Sequence, residues 1–258
     1  MQLIELQQIL EEKFPKEYAC DWDNDGLMCA TKMDAPVKKV LCTLDVTVEA
    51  LLYAHNNGFD TIISHHPMIF RPLGAITPDY SHVARKTLSA LQYNINVFSF
   101  HTRFDAMPGG INDLLAKKLS LSNIRSFGDG ESDMGRIGEL ETEMHIDDFC
   151  KYVKNILGCD SLSYAKRYSQ NNDMVKTVAV LGGAGKDFIN GAKAAGADVL
   201  VSGELGYNNM AEAYERGISL VEAGHFFTED VACKYFSEVL DALGVENAYF
   251  SSYNIKSI

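Results

Sequence analysis

The sequence contains an internal repeat. VKKVLCTLDVTVEALLYAHNNGFDTIISHHP (37–67) aligns without a gap with VKTVAVLGGAGKDFINGAKAAGADVLVSGEL (175–205), and the two copies share Val, Gly, Asp and Ser at matching positions. Each copy has an apolar run, a helical pattern that ends at Gly, and a second apolar run followed by a polar turn. Near-continuous apolar strands are typical of parallel strands that are covered on both faces. The repeat therefore predicts an α/β fold with two pseudo-repeated β-α-β lobes.

The stretch between the two copies is more polar and contains many turn residues. It includes a strand-like segment, GRIGEL, and a helical pattern with an Asp-rich first turn, MHIDDFCKYVKNILG. It is too short to form an independent domain. We therefore predict a first lobe at 1–119, a connector packed on the lobes at 120–173 and a second lobe at 174–258.

Composition excludes some classes of partner. The formal net charge of −12 disfavours nucleic acid or an anionic membrane as the main partner. The first residues, MQLIELQQILEEKF, have the spacing of an amphipathic helix and lack the basic start of a signal peptide. No apolar run is long enough to span a membrane. The six cysteines include no CxxC pair, which predicts reduced thiols in a cytoplasmic protein.

Histidines and carboxylates follow the apolar strands at related positions in both halves. SHHP ends one strand, HTRFD follows the next, and GHFFTED occupies the corresponding place in the second half. Because ligands of open α/β sheets gather beyond the carboxyl ends of parallel strands, we expect the lobes to face a metal cleft. Two adjacent histidines point in different directions, which suits two ions better than one. The predicted set is His65, His66, His101, Asp105, His225 and Glu229.

Imidazole and carboxylate ligands without thiolates suit zinc, manganese, iron, cobalt or nickel. We therefore predict two divalent ions per chain, of unknown identity. For any one of these pairs, a solvated loop or a buried structural histidine is the commoner explanation, and only the combination favours metal. His55, His82 and His145 lack this context and are predicted to be surface residues.

Two further features have alternative interpretations. GGAGK (182–186) follows a strand but lacks the first Gly and the Ser or Thr of a P-loop, so it indicates a tight strand-to-helix turn. The amides of such a turn are still candidates for holding an anion. Arg103, inside HTRFD, is either a phosphate contact or an ordinary exposed arginine.

Several motifs resemble those of the Nif-three-like family, also called GTP cyclohydrolase 1 type 2 homologues. They are ACDWDNDGL, LDVT, SHHPMIF, HTRFDAMPGGINDLLA, GRIGEL, GADVLVSGEL and AGHFFTED, and they span nearly the whole chain in order. The resemblance implies the Nif-three-like two-lobed α/β fold, a dinuclear metal centre and a toroidal homohexamer.

The family's metal ligands correspond to His65, His66, Asp105, His225 and Glu229, with Glu229 bridging the ions. His101 lines the same site by this resemblance, either as a further ligand or as a catalytic residue that does not bind the ions. The chain departs from the family at 206–209, GYNN, where many relatives have Lys and His. Any substrate contact from that turn is therefore in doubt.

Two functions are compatible with this pattern. If the metal ions keep open coordination positions, they can activate water, which predicts a metal-dependent hydrolase. The family name suggests a nucleotide or phosphorylated small molecule as substrate. The alternative is a non-catalytic interaction or regulatory protein that is organised by its metals. A catalytic centre must keep an exchangeable coordination position, whereas a structural centre is closed.

Overall fold

The computed structural model describes residues 1–168, 173–253 and 255. By contacts, the first of two compact units comprises Met1–Met107 and Ala232–Asn254, and the second comprises Pro108–Val231 and Ile255–Ile258, as far as the described residues go. The three segments expected from the repeat stay a prediction. Residues 169–172 of the expected connector, and 254 and 256–258 of the expected second lobe, lie outside the described residues.

The chain contains both strands and helices, intermixed along the sequence. The strands are β1 (Gly26–Cys29), β2 (Lys39–Thr43), β3 (Thr61–Ser64), β4 (Asn96–Ser99), β5 (Ser122–Phe127), β6 (Gly135–His145), β7 (Ser163–Ala165), β8 (Met174–Ala184), β9 (Val199–Glu204), β10 (Ser219–Glu222) and β11 (Glu246–Tyr249). The helices are α1 (Leu3–Lys13), α2 (Val48–Asn56), α3 (His82–Gln92), α4 (Thr102–Ala106), α5 (Ile111–Lys118), α6 (Ile146–Leu157), α7 (Ile189–Ala194), α8 (Tyr207–Ala211), α9 (Ala213–Arg216), α10 (His225–Glu229) and α11 (Val231–Ala242). The fold is therefore mixed α/β, as the sequence predicts.

The first unit contains a five-stranded sheet in the order β1-β4-β3-β2-β11. Strands β11, β2, β3 and β4 are parallel neighbours, and β1 is antiparallel to β4 at one edge. Leu41, Ile62 and Val97 are fully buried in one core cluster, which explains why these strands have continuous apolar sequences. In this unit Phe14 of the segment after α1 stacks on Phe100, with ring centroids 4.5 Å apart.

The second unit contains a six-stranded sheet in the order β5-β6-β8-β9-β10-β7. Strands β8, β9 and β10 are parallel, and β6 runs antiparallel to β8. The strands β5, β6 and β7, which come from the stretch between the two repeat copies, are members of this sheet. Helix α6 packs Phe149 and Val153 into the core cluster, consistent with the helical pattern of its sequence.

The repeat predicted from the sequence is present in the topology. Strands β2, β3 and β4 are parallel neighbours in the first sheet, and β8, β9 and β10 are parallel neighbours in the second. The aligned aspartates also make the same contacts. Asp60 accepts hydrogen bonds from the amides of Lys38 and Lys39 (2.8 and 3.3 Å), and Asp198 accepts two from the amides at the start of β8 (2.9 and 2.8 Å). Each aspartate thus ties the start of one strand to the start of its neighbour.

None of the helices in the described part of the chain is long and apolar enough to cross a bilayer. Four cysteines, Cys29, Cys42, Cys150 and Cys159, are buried free thiols. Burial raises the pKa of Cys29 to about 11 and that of Cys42 to about 12, so these thiols stay protonated at neutral pH.

Candidate metal-binding site

The paired histidines lie directly after β3. The strand ends at Ser64, whose hydroxyl donates to the carbonyl of His66 (2.9 Å). The amide of His66 donates to the carbonyl of Leu44 (3.0 Å). His65 is fully buried and His66 is half-buried. The turn that carries both imidazoles is therefore held by its own hydrogen bonds.

His101 and Asp105 lie after the neighbouring strand, β4. Helix α4 begins at Thr102, and the amide of Asp105 donates to the carbonyl of His101 (3.2 Å). The i, i+4 spacing thus places both side chains on one helical face, as the H-x3-D pattern predicts. Asp105 Oδ1 lies 3.6 Å from Nε2 of His65.

Three histidines of the first unit, His65, His66 and His101, form a cluster. Their ring centroids are 5.0 Å apart for His65 and His66, 5.3 Å for His65 and His101, and 5.8 Å for His66 and His101. One ring nitrogen from each lies within 4.8 Å of one ring nitrogen of each of the others. Imidazole nitrogens this close to one another could hold a metal ion.

The imidazoles have a common orientation. Each directs Nδ1 at an oxygen: His65 at the carbonyl of Phe100 (2.8 Å), His66 at Asp45 (2.8 Å) and His101 at Asp23 (3.0 Å). A carbonyl only accepts, so Nδ1 of His65 carries a proton. The carboxylates likewise accept a hydrogen bond from Nδ1 of each of the other two rings. This arrangement is typical of metal-binding histidines, whose second nitrogen donates to a carboxylate or a carbonyl.

Asp23 is ionised at neutral pH. Burial, the largest influence, raises its pKa, but hydrogen bonds from His101 and Thr102 and the charge of His101 together lower that pKa to about 2. Burial has the opposite effect on His101 and lowers its pKa. The hydrogen bond to Asp23 and the nearby carboxylates more than compensate, so the net shift of the His101 pKa is upward. Asp23 therefore acts as a hydrogen-bond acceptor that orients His101.

Arg103 has a structural role that the sequence did not reveal. Its side chain is 1 % exposed and forms a two-pronged ion pair with Asp25 (2.8 and 2.6 Å). The same guanidinium donates to Glu11 (2.6 Å) and to the carbonyl of Phe14 (2.9 Å). The expectation of a phosphate contact or an exposed arginine was wrong, because the side chain is buried and the guanidinium makes four hydrogen bonds inside the protein. Arg103 instead anchors α4, the helix that carries Asp105.

His225 and Glu229 of the second unit belong to one short helix. Helix α10 begins at His225 and ends at Glu229, and His225 Nε2 lies 2.9 Å from Glu229 Oε2. Nδ1 of His225 lies 2.9 Å from a carboxylate oxygen of Glu204, at the end of β9. His225 therefore has the same kind of carboxylate partner on Nδ1 as His66 and His101.

Two glycines near the end of β8, Gly182 and Gly183, pack against this pair. Gly183 has a φ of +65°, and a Cβ at this position would lie 2.1 Å from Glu229 Oε1. The amides of Gly182 and Gly183 donate to Asn112 Oδ1 (2.7 Å) and Thr228 Oγ1 (3.1 Å). The strand continues to Ala184, so the predicted strand-to-helix turn is confirmed only for Gly185 and Lys186, which lead into a short 3-10 helix (Lys186–Phe188) and then α7. The anion-holding alternative was wrong for the amides of Gly182 and Gly183 because they already have acceptors.

Replacing Gly183 with alanine should displace the Glu229 carboxylate and weaken metal binding by the second unit, because the new methyl group and the carboxylate cannot both fit. Elemental analysis after metal loading would measure this, together with a thermal melt. Gly158→Ala is the matched control, since Gly158 has a φ of +74° and open space around its Cβ position. Equal metal content in the two variants would contradict the prediction.

The remaining histidines lie elsewhere in the units. His55 is exposed and stacks on Tyr93, and His82 is exposed in the first turn of α3. His145 is half-buried and accepts a hydrogen bond from the amide of Asp147 (3.3 Å), so it caps α6. The surface prediction holds for the first two, whereas His145 has a capping role.

The orienting carboxylates Asp23, Asp45 and Glu204 were missed from the sequence. Asp23 and Asp45 lie in the quoted motifs ACDWDNDGL and LDVT, but nothing in those letters indicates a histidine partner. Glu204 had a detectable signal, because it occupies the position in the second repeat copy that His66 occupies in the first. A polar residue at an equivalent strand end is a candidate for the same site.

A sequence profile of the family described as Duf34/NIF3 (NGG1p interacting factor 3) matches residues 1–255. The chain belongs to this family. A curated relative from Clostridium perfringens, called GTP cyclohydrolase 1 type 2 homolog, is 32% identical over 261 residues, which cover 99% of this chain and 98% of the relative. A homolog of the same name from Clostridium acetobutylicum is 30% identical and covers 97% and 95%.

Solved structures show the same fold. Reduced HcgD from Methanocaldococcus jannaschii has a TM-score of 0.83 and 28% identity, with 96% of this chain and 97% of that chain covered. A Bacillus cereus protein related to NIF3 has a TM-score of 0.83 at 24% identity, with 99% and 97% covered. The family assignment made from the motifs and the α/β fold are therefore confirmed.

Proposed function

We propose that this Duf34/NIF3 protein is a metal-dependent hydrolase that binds two divalent ions per chain. The ligands would be His65, His66 and Asp105 of the first unit, with His225 and Glu229 of the second. The observation that carries the proposal is the common orientation of the histidines, each with Nδ1 at an oxygen acceptor. Metal-binding histidines almost always have this hydrogen bond on their second nitrogen, and four imidazoles share it here.

The donor set fits a divalent transition metal. Neutral imidazoles and carboxylates suit zinc, manganese, iron, cobalt or nickel. Bound ions of this kind would act as Lewis acids that polarise an electrophile and activate water for attack. Asp45 and Glu204 would hold the imidazoles of His66 and His225 in place, so that little rotational freedom is lost when the ion binds.

His101 is proposed as the proton-carrying residue of the reaction or as a further ligand. Asp23 accepts from its Nδ1 and fixes the ring, so Nε2 is the atom that would exchange a proton with substrate or bind an ion. His101→Gln distinguishes the two roles. Loss of turnover at unchanged metal content would indicate the proton carrier, and loss of metal would indicate the ligand.

GTP is the first substrate to test, because the curated relatives carry the name GTP cyclohydrolase 1 type 2 homolog. The metal-loaded chain should release formate from GTP or hydrolyse another nucleotide or phosphoester, and chelation should abolish the activity until metal is restored. Asp105→Ala should reduce turnover much more than it lowers the melting temperature, because this carboxylate makes little core packing. Activity that survives both chelation and Asp105→Ala would come from a contaminant.

Absence of turnover across a broad panel of nucleotides and phosphoesters, with metal bound in a closed coordination shell, would instead favour the non-catalytic interaction protein.

The proposal also covers the assembly and the location of the protein. We propose a toroidal homohexamer, on the family resemblance, and light scattering that shows only a 28.5 kDa monomer would contradict it. The buried free thiols support a reducing compartment such as the cytoplasm.

A further inference from the structure

An exposed aromatic cluster borders the histidines of the first unit. Trp22 is 54% exposed, and its ring meets Phe70 edge-on with centroids 6.1 Å apart. Both rings also contact His101, with centroids 6.4 Å away for Trp22 and 6.3 Å for Phe70. A large aromatic ring that stays exposed beside a predicted metal ligand has apolar area that a substrate can cover.

The loops that carry these rings are fixed in place. On one side of Trp22, the amide of Cys20 donates to the Thr102 hydroxyl (3.0 Å). On the other side, Asp23 accepts from the amide and hydroxyl of Thr102 (3.0 and 2.6 Å). Because both flanks are tied to the start of α4, Trp22 has little freedom to lose when a ligand stacks on it.

The second loop is tied to the first. The side-chain amide of Asn24 donates to the carbonyl of Ile69, next to Phe70. The two aromatic rings therefore come from separate loops that share a hydrogen bond. A preformed pair of rings of this kind recognises a flat ligand at low entropic cost.

A cation lies beside the rings. The guanidinium carbon of Arg71 is 4.8 Å from the centre of the Phe70 ring. Arg71 is exposed, and in the part of the chain that the structure describes it makes no ion pair. The carboxylates around the histidines would repel an anionic ligand, so a nearby arginine that is not neutralised favours one.

We propose that Trp22, Phe70 and Arg71 form a substrate-binding subsite for a planar aromatic ring that bears a phosphate, as in a nucleotide. The inference rests on the proposed function, because it names the class of substrate that the metal-binding residues would act on. Trp22 stacks on the ring, Phe70 supports Trp22, and Arg71 pairs with the phosphate. Stacking is tolerant of the identity of the base, so the subsite selects flat rings in general.

Fluorescence offers a direct test, because Trp22 is the only tryptophan in the chain. AMP, adenosine and ribose 5-phosphate serve as probes, with free N-acetyltryptophanamide as the correction for absorbance by the purine. AMP and adenosine should quench the emission in a saturable way, and ribose 5-phosphate should not. Arg71→Gln should raise the Kd for AMP without changing that for adenosine. Absence of saturable quenching by AMP and adenosine at millimolar concentration would overturn the proposal.

Equilibrium dialysis extends the test to variants that lack the tryptophan. Trp22→Leu should weaken AMP binding about tenfold, the lower part of the range for loss of one stacking partner. Tyr214→Leu is the matched control, since Tyr214 is 55% exposed, meets Tyr168 edge-on and is expected to leave AMP binding unchanged. Equal loss in both variants, or none in Trp22→Leu, would contradict the subsite.

These binding experiments test the subsite independently of the hydrolase proposal. Metal content and the melting temperature of Trp22→Leu should match those of the unmodified chain, because the exposed ring contributes little to folding. If AMP quenches Trp22 but no metal-dependent turnover is found, the subsite stands and the hydrolase fails. If turnover of a nucleotide persists unchanged in Trp22→Leu, the hydrolase stands and the subsite fails.

Discussion

Arg103→Met should lower the free energy of unfolding by about 3–5 kcal/mol, the usual cost of removing one partner of a buried ion pair. The substitution leaves the Asp25 carboxylate, whose side chain is 2 % exposed, without its two-pronged partner. It also removes the hydrogen bond to the carbonyl of Phe14. Because domains of this size have a free energy of unfolding of only about 5–15 kcal/mol, this loss is a large fraction of the total stability.

Urea denaturation followed by circular dichroism would measure the effect. Lys151→Met is the control, since Lys151 pairs with Asp148 on the surface and such pairs contribute at most about 1 kcal/mol. Adding Asp25→Leu to Arg103→Met should recover part of the loss, because the isolated buried charge is then gone. A cost for Arg103→Met no greater than for Lys151→Met would show that the buried pair has no special weight.

Metal binding should depend on the histidines and on their carboxylate partners to different degrees. Under the proposed function, the loaded chain holds about two ions, and His65→Ala or His66→Ala should each remove a large part of this metal. Asp45→Ala should weaken metal affinity about 10–100-fold, the usual effect of losing the residue that orients a ligand. Acidification should weaken binding in every case, because protonated imidazoles cannot bind metal.

Elemental analysis and competition with a coloured chelator would give content and affinity. His55→Ala is the control, since His55 is exposed and stacks only on Tyr93 among the rings near it. Metal content near zero in the unmodified chain after loading would end the proposal. The same would follow if His55→Ala lost as much metal as His65→Ala.

Local sequence patterns predicted the parts of the fold that depend on neighbours in the chain. The Leu spacing of α1, the apolar run of β3 and the amphipathic pattern of α6 all appear as elements. The two copies of the repeat form parallel strands in matching order, because both copies have the same buried positions. The histidines and carboxylates of each half could be placed at strand ends for the same reason.

Features that depend on distant residues could not be predicted. Nothing in Glu246–Tyr249 indicates that it pairs with β2, since edge pairing is set by the three-dimensional packing. The burial of Arg103 depends on carboxylates from α1 and from Asp25, which are far away in the sequence. The contact between Trp22 and Phe70 likewise joins two loops that have no shared pattern.

The order of strands also has a consequence for synthesis on the ribosome. All six strands of the second sheet lie between Ser122 and Glu222, so this sheet can close while the chain is still being extended. The first sheet must wait longer, because its edge strand β11 emerges only after the whole of the second sheet. Phe236 of α11, which meets the Phe14 ring edge-on at 5.6 Å, arrives equally late. Until α11 and β11 emerge, the nascent first unit has an unpaired β2 edge and an open aromatic core, and it is the part of the chain that most needs protection from aggregation.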